Sequence, residues 1–273
     1  METLTKITDR AALSRNRARA RKRPVTFLHE AARADLEDRL AMVNREFTAP
    51  AVISPMPDLW QGIAPGARHV APAETLELAE GAHDLVIHAM DLHWADDPVG
   101  QLVQCRRALR PDGFFLAVLA GGQTLHELRA ALGQAETEAT GGLSPRVLPM
   151  GEIRDLGALL QRAGFALPVA DSFALKASYP SALHLMRELR AMGEGNALEA
   201  RLRRPTGRKV ILRAAELYSE AFGTSEGRVT ATFELVVLTG WAPAADQPRP
   251  LRPGSANARL ADALGTTETK LRD

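Results

Sequence analysis

The chain has 273 residues, 45% of them hydrophobic and 25% charged, with a formal net charge of +1. That is enough for one sizeable α/β domain with an insertion, and the near-balanced charge announces neither a nucleic-acid nor a membrane partner. One cysteine, Cys105, excludes an intrachain disulfide framework, and its helical apolar surroundings mark it as a small buried hydrophobe.

The charge is uneven along the chain. Arg10, Arg15, Arg17, Arg19, Arg21, Lys22 and Arg23 crowd the start, so residues 1–26 read as a basic N-terminal arm or a loosely docked helix. The arm has no interleaved aromatics, which favours a solvated or protein-docking segment over RNA binding. Glu2 and Asp9 argue against an organellar leader, and the start lacks the apolar core of a secretory signal. No stretch approaches the roughly 18 apolar residues of a membrane span. The compartment expected is cytoplasmic.

Leu28, Ala32, Leu36, Leu40 and Val43 then recur at helical spacing. A first strand is predicted at 51–53. Residues 54–66 hold Pro55, Pro57, Gly62, Pro65 and Gly66 and leave little room for regular structure. A second strand is expected at 67–71, and a third element only faintly within 74–82. The continuous apolar run at 85–87 suits a strand covered on both faces. Asp97 and Pro98 open a helix that runs to Leu109. A turn at 110–113 leads to a strand at 114–120. Thr124 and Glu127 stand at capping-box spacing before Leu128 and Leu132.

A helix at 153–160 should end at Gly164. A strand near 166–175, helices at about 181–192 and 206–222, and a final strand at 230–241 follow. This order predicts a doubly wound α/β sheet over 27–242, with a helical insertion at about 176–229. The insertion is rich in arginine and has apolar faces to bury against the domain or a partner. A disordered tail is expected over 243–273.

Four strings are long enough to be specific: Leu92-His93-Trp94, the block Gly121–Arg146, AMGEGN at 191–196 and ATFELVVLTGW at 231–241. With the strand–helix–strand order around them, they resemble the class I S-adenosylmethionine-dependent methyltransferase-like family over about residues 9–241. The resemblance is to the type that assists assembly of respiratory complex I, and more distantly to the malonyl-carrier-protein methyl esterases of biotin synthesis. It implies a Rossmann-like sheet of seven strands with adenosylmethionine at the carboxyl ends of the first strands. The eukaryotic complex I member is described as an arginine hydroxylase, so membership does not guarantee methyl transfer.

One departure stands out. A glycine-rich loop should follow the first strand, letting the backbone approach the cofactor with free N–H groups. The sequence there is AVISPMPDLW. Pro55 and Pro57 lack an N–H and fix φ. The span from Ile53 to Leu85 is also about half of what two βα units take. The fold class is therefore an α/β, Rossmann-like methyltransferase sheet with a shortened N-terminal half and a helical insertion.

Ser54, Glu74, His88 and Ala89 are what remains for a cofactor site, with Glu74 the best carboxylate for a ribose. His93 is the candidate general base, since an imidazole titrates near neutrality. Trp94, Gln123, Tyr179 and Asn196 are candidate substrate contacts. Gly121-Gly122 serves either close approach to a ligand or a plain turn. His69, His83, His88 and His93 lack metal-ligand spacing, so no metal site is expected. Three functions follow: a relative with weak or lost adenosylmethionine binding that acts in respiratory-complex assembly through a protein partner; an active methyltransferase or hydroxylase with a rebuilt pocket; and an RNA-associated protein using the basic arm.

Overall fold

The computed structural model describes residues 6–247. Helix α1 (Arg10–Ala20) is capped by Asp9, whose side chain accepts from the Ala12 N–H. Helix α2 (Phe27–Met42) turns Leu28, Ala32 and Leu36 inward. The sheet strands are β1 (Pro50–Ile53), β2 (Arg68–Val70), β3 (His83–Ala89), β4 (Leu109–Gly121), β5 (Ala166–Tyr179) and β6 (Val229–Trp241), in the order β2-β1-β3-β4-β6-β5. The first four run parallel, while β6 is antiparallel to both β4 and β5. Helices α3 (Pro98–Ala108), α4 (His126–Thr140), α5 (Ile153–Arg162), α6 (Ala182–Met192) and α7 (Arg208–Phe222) cover the two faces.

Strand alternation divides the core. Val52, Leu85, Ile87, Leu116 and Val118 face α2, α4, α6 and α7, while Ile53, Val86, Phe115, Ala117 and Leu119 face α3 and α5. Every residue of β1 and β3 is buried, as parallel strands covered on both sides require. Cys105 packs at 0% exposure on the inner face of α3, and burial raises its thiol pKa. Residues 6–243 form one compact unit. Most of the tail expected over 243–273 lies outside the described residues. Among those residues, no helix is long and apolar enough to cross a membrane.

Several local expectations are corrected. The described residues supply six strands, not seven, because 74–82 pairs with no neighbour. Its polar backbone is satisfied by α3 instead. Gln101 Nε2 donates to the Ala73 carbonyl, Gln104 Nε2 to that of Glu74, and Gln104 Oε1 accepts from the Leu76 N–H. The turn at 110–113 lies inside β4 as a bulge, with Asp112 at φ 59° and the ladder jumping from His83–Leu109 to Leu85–Phe114.

The capping box before α4 does not form. Thr124 Oγ1 bonds both the backbone N–H and carbonyl of Glu234, while Glu127 accepts from Thr232 Oγ1 at 2.6 Å. Strand β6 outcompetes the helix end for both side chains. Gly121-Gly122 is tight against β6 too: a Cβ at Gly121 would meet Val236 Cγ2 at 2.6 Å, and one at Gly122 would run into the Glu234 carboxylate. Packing requires glycine at 121, and a φ of 48° favours it at 122. The helix end at Gly164 (φ 81°) and the Asp97 cap on the Gly100 N–H form as expected.

Strand β5 continues to Tyr179, so the insertion begins later than 176. Leu185, Leu189 and Met192 of α6, and Val210, Leu217 and Tyr218 of α7, join the main core. The insertion's apolar faces are thus buried on its own domain.

Two imidazoles are sealed in this core. His29 accepts from Trp60 Nε1 at 3.2 Å, and burial lowers its pKa to about 4, with Arg17 helping and Glu194 opposing. His88 faces Gln101 Oε1 at 2.9 Å, and its pKa is lowered by burial as well. Both lie below the ordinary imidazole value, so the unfolded chain takes up protons first as pH falls below about 6.5. Urea-melt stability should fall from about pH 6.5 to about pH 4, by roughly 1.4 kcal/mol per pH unit for each group held neutral. The variant His29→Gln keeps an acceptor for Trp60 and should show a shallower pH slope than the parent.

Candidate functional site

The carboxyl ends of β1 and β3 open on the same side, and the turn after β1 has used up its backbone donors. After β1, the Ser54 N–H donates to the Val70 carbonyl at 3.2 Å and the Met56 N–H to Ser54 Oγ at 3.1 Å. Pro55 and Pro57 have none to give. No N–H from Ser54 through Pro57 is left for a ligand. After β3, Met90 takes φ 56° and donates to the Val118 carbonyl, and a single 3-10 turn, Leu92–Trp94, follows.

Helix α1 lies over these ends. The chain before it is fixed by the N–H groups of Ile7 and Thr8 on Asp96 Oδ1, and by the Asp9 N–H on the Ala197 carbonyl. Asp9 also pairs with Arg201 at 2.7 Å and Arg203 at 2.8 Å. Leu13 packs with Trp94, Leu148 and Leu198 in a separate small core. From this helix Arg17 reaches down to Asp91, a fully buried carboxylate, and forms an ion pair with it. Its Nη2 also lies 3.8 Å from Glu194 Oε1.

Glu194 collects the cluster. Trp94 Nε1 donates to its Oε2 at 2.6 Å, and His93 Nε2 lies 3.5 Å from the same atom. Burial pushes the Glu194 pKa up, but His93, Arg17 and the indole N–H more than reverse this and hold it at about 2. A bidentate pair at 2.6 and 2.9 Å between Arg146 and Glu136 fixes the loop that passes beside them. The His93 ring and the Glu194 carboxylate thus face each other beside an apolar wall.

Two cavities flank the Arg17–Asp91–Glu194 line. A large one of about 830 Å³ lies between α1 and the ends of β1 and β2, walled by Arg10, Arg17, Arg21, Ser54, His69 and Glu74. A small one of about 70 Å³ lies among Met90, His93, Trp94, Glu194, Asn196 and Phe233.

The predicted site residues separate accordingly. Ser54 and Glu74 share the large cavity; His93, Trp94 and Asn196 share the small one. His88 and Ala89 are corrected: both are fully buried within β3 and line neither cavity. Gln123 is exposed outside them. Tyr179 bonds Glu188 at 3.2 Å and borders a different depression. Asn196 is tied up by the Pro145 carbonyl and the Leu198 N–H. Arg17 and Glu194 were not singled out from the sequence. The seven- and four-residue steps linking Arg10, Arg17 and Arg21 were the legible signal, since they put all three on one helix face. Among the described residues, no three His, Cys, Asp or Glu side chains group as metal ligands.

The cavity residues do not fit adenosylmethionine. That cofactor needs backbone donors from the turn after β1, and these are spent. It carries a sulfonium and an ammonium against one carboxylate, a net positive charge that the guanidiniums of Arg10 and Arg21, beyond the Asp91-paired Arg17, disfavour. Among the described residues Glu74 is the only carboxylate on the wall.

The Arg17–Asp91 pair gives a direct test of what holds α1. Arg17→Met strands Asp91 without a partner and should cost about 3–5 kcal/mol in denaturant unfolding. The double variant Arg17→Met/Asp91→Leu should recover most of that loss. Additive losses would show that the pair is not coupled.

A methyltransferase-domain family model matches residues 58–117. The arginine-hydroxylase NDUFAF5, mitochondrial, of Danio rerio is 40% identical over 196 residues, covering 71% of this chain and 60% of that protein. Its Homo sapiens counterpart is 38% identical over 71% of this chain and 56% of its own length. The malonyl-[acyl-carrier protein] O-methyltransferase of Laribacter hongkongensis is 34% identical over 67% of this chain and 59% of that protein. The chain thus spans between 42% and 60% of the length of these relatives. The expectation of a cytoplasmic compartment is overturned, because the arginine-hydroxylase relatives are named as mitochondrial proteins. With its strand order and these matches, the chain belongs to the S-adenosylmethionine-dependent methyltransferase-like family, related to the arginine-hydroxylase NDUFAF5 proteins and more distantly to the malonyl-[acyl-carrier protein] O-methyltransferases.

Proposed function

We propose that this protein keeps the methyltransferase fold as a binding module for a protein partner in respiratory-complex assembly, without using adenosylmethionine. One observation carries the reading: the turn after β1 has no free N–H, and α1 lies over it with Arg17 committed to Asp91. A site that cannot hold the cofactor cannot deliver its methyl group. The assembly role rests on the resemblance to the complex I assembly type and on the relationship to the arginine-hydroxylase proteins. An active enzyme with a rebuilt pocket has the His93–Glu194–Trp94 group in its favour. Its cavity of about 70 Å³, however, has the volume of about two waters.

Calorimetric titration of the full chain with adenosylmethionine should give no binding tighter than about 1 mM. Saturable one-to-one binding in the micromolar range would restore the enzyme reading. For the assembly role, deletion of the gene should lower the amount of assembled respiratory complex on native gels. Unchanged complex after deletion would refute it.

A further inference from the structure

We propose that the cavity beside α1 binds an elongated, phosphate-bearing small molecule through Arg10, Arg17 and Arg21. The site occupies the place where the fold family keeps adenosylmethionine, but its chemistry is reversed. Backbone donors have gone and guanidiniums have come in.

The helix sets the geometry. Eleven residues separate Arg10 from Arg21, or about 16 Å along the axis, with Arg17 between them on the same face. A row of guanidiniums that long suits a chain of phosphates or two separated anionic groups better than a single ion. Among the described residues neither Arg10 nor Arg21 has a carboxylate partner, and Glu74 is the one acidic side chain on the wall. Arg17 is met by Asp91 and its Nη2 lies 3.8 Å from Glu194, so Arg10 and Arg21 carry the uncompensated positive charge on this wall.

Buried atoms point to a missing acceptor. Nε and Nη2 of Arg10 and Nδ1 of His69 are buried with no hydrogen-bond partner, as is Nε of Arg17, whose two terminal nitrogens lie toward Asp91 and Glu194. Arg17 is only 9% exposed. Unsatisfied buried donors are uncommon in folded chains, and several from separate side chains around one cavity are what an anionic ligand would satisfy. The volume of about 830 Å³ falls in the range of small-molecule sites, about 300–1,000 Å³. Leu13, Pro57 and Val70 add an apolar wall for the non-phosphate part. Arg21 and Glu74 are exposed and give entry from solvent.

The test uses the full chain, with calorimetry at about 0.15 M salt, where surface charge is screened. Probes are inorganic pyrophosphate, ATP, adenosine, adenosylmethionine and a single-stranded RNA oligonucleotide. Pyrophosphate and ATP should each bind one to one, with adenosine silent. Arg10→Gln/Arg21→Gln should weaken both by tenfold or more without lowering the melting temperature of the free protein. Arg107→Gln, on an exposed face elsewhere, should change nothing. Absence of binding by both phosphate probes, or binding indifferent to the double substitution, overturns the proposal. So does adenosine binding as well as ATP, or RNA binding tighter than ATP with the same sensitivity. Adenosylmethionine binding tighter than pyrophosphate would sink both this inference and the proposed loss of cofactor use. Silence of pyrophosphate and ATP with adenosylmethionine also silent sinks only this one.

Discussion

The ion pair between Arg17 and Asp91 holds together three stretches that are remote in sequence. Asp91 sits at the end of β3 with no exposure, where a lone carboxylate would cost several kcal/mol. Its guanidinium partner arrives on a helix that precedes the whole sheet. The same guanidinium lies near Glu194, from the loop after α6, and Glu194 in turn takes the indole N–H of Trp94. Helix α1 therefore cannot leave the strand ends without uncovering a buried charge and releasing the loop at 193–203. What the sequence offered as a basic arm is, over residues 10–20, a structural element of the site.

That constraint decides the electrostatics above the sheet. In a cofactor-using relative of this fold, the end of β1 would be a neutral cradle of amide donors. Here the amides at Ser54 and Met56 are consumed locally, and the positive end of the site comes from side chains on α1. A guanidinium can recognise an anion, but it cannot replace the close backbone approach that a glycine turn allows to a cationic cofactor. The likeness to methyltransferases and the unsuitability for adenosylmethionine are thus consequences of different parts of one structure. The sheet preserves the family; the turn and α1 set the site apart.

The shortened N-terminal half is stabilised by an economy of the same kind. A missing strand would leave the backbone at 73–76 unpaired, and unpaired polar groups beside a core are costly. Two glutamines one helical turn apart, Gln101 and Gln104, supply the bonds that a strand would have made. Gln101 also meets His88, so the segment is linked to the buried imidazole inside β3.

Local physics in the sequence was sufficient for the parallel strands, for the helices with apolar faces, and for the ends at Asp97 and Gly164. Continuous apolar runs, proline-compatible caps and glycine at positive φ act over a few residues and are legible one residue at a time. The poverty of the turn at Ser54–Pro57 was legible for the same reason, since proline has no N–H wherever it is placed. Contacts between distant residues settled the rest. Thr124 and Glu127 look like a capping box until β6 arrives and takes both side chains, and Gly121-Gly122 looks permissive for a ligand until Val236 and Glu234 close on it. His88 and Ala89 stand near the end of a strand, yet burial on both faces keeps them from any cavity. Above all, nothing local joins residue 17 to residues 91 and 194. That pairing exists because a buried carboxylate requires a charge, and only the folded chain brings the helix carrying one within reach.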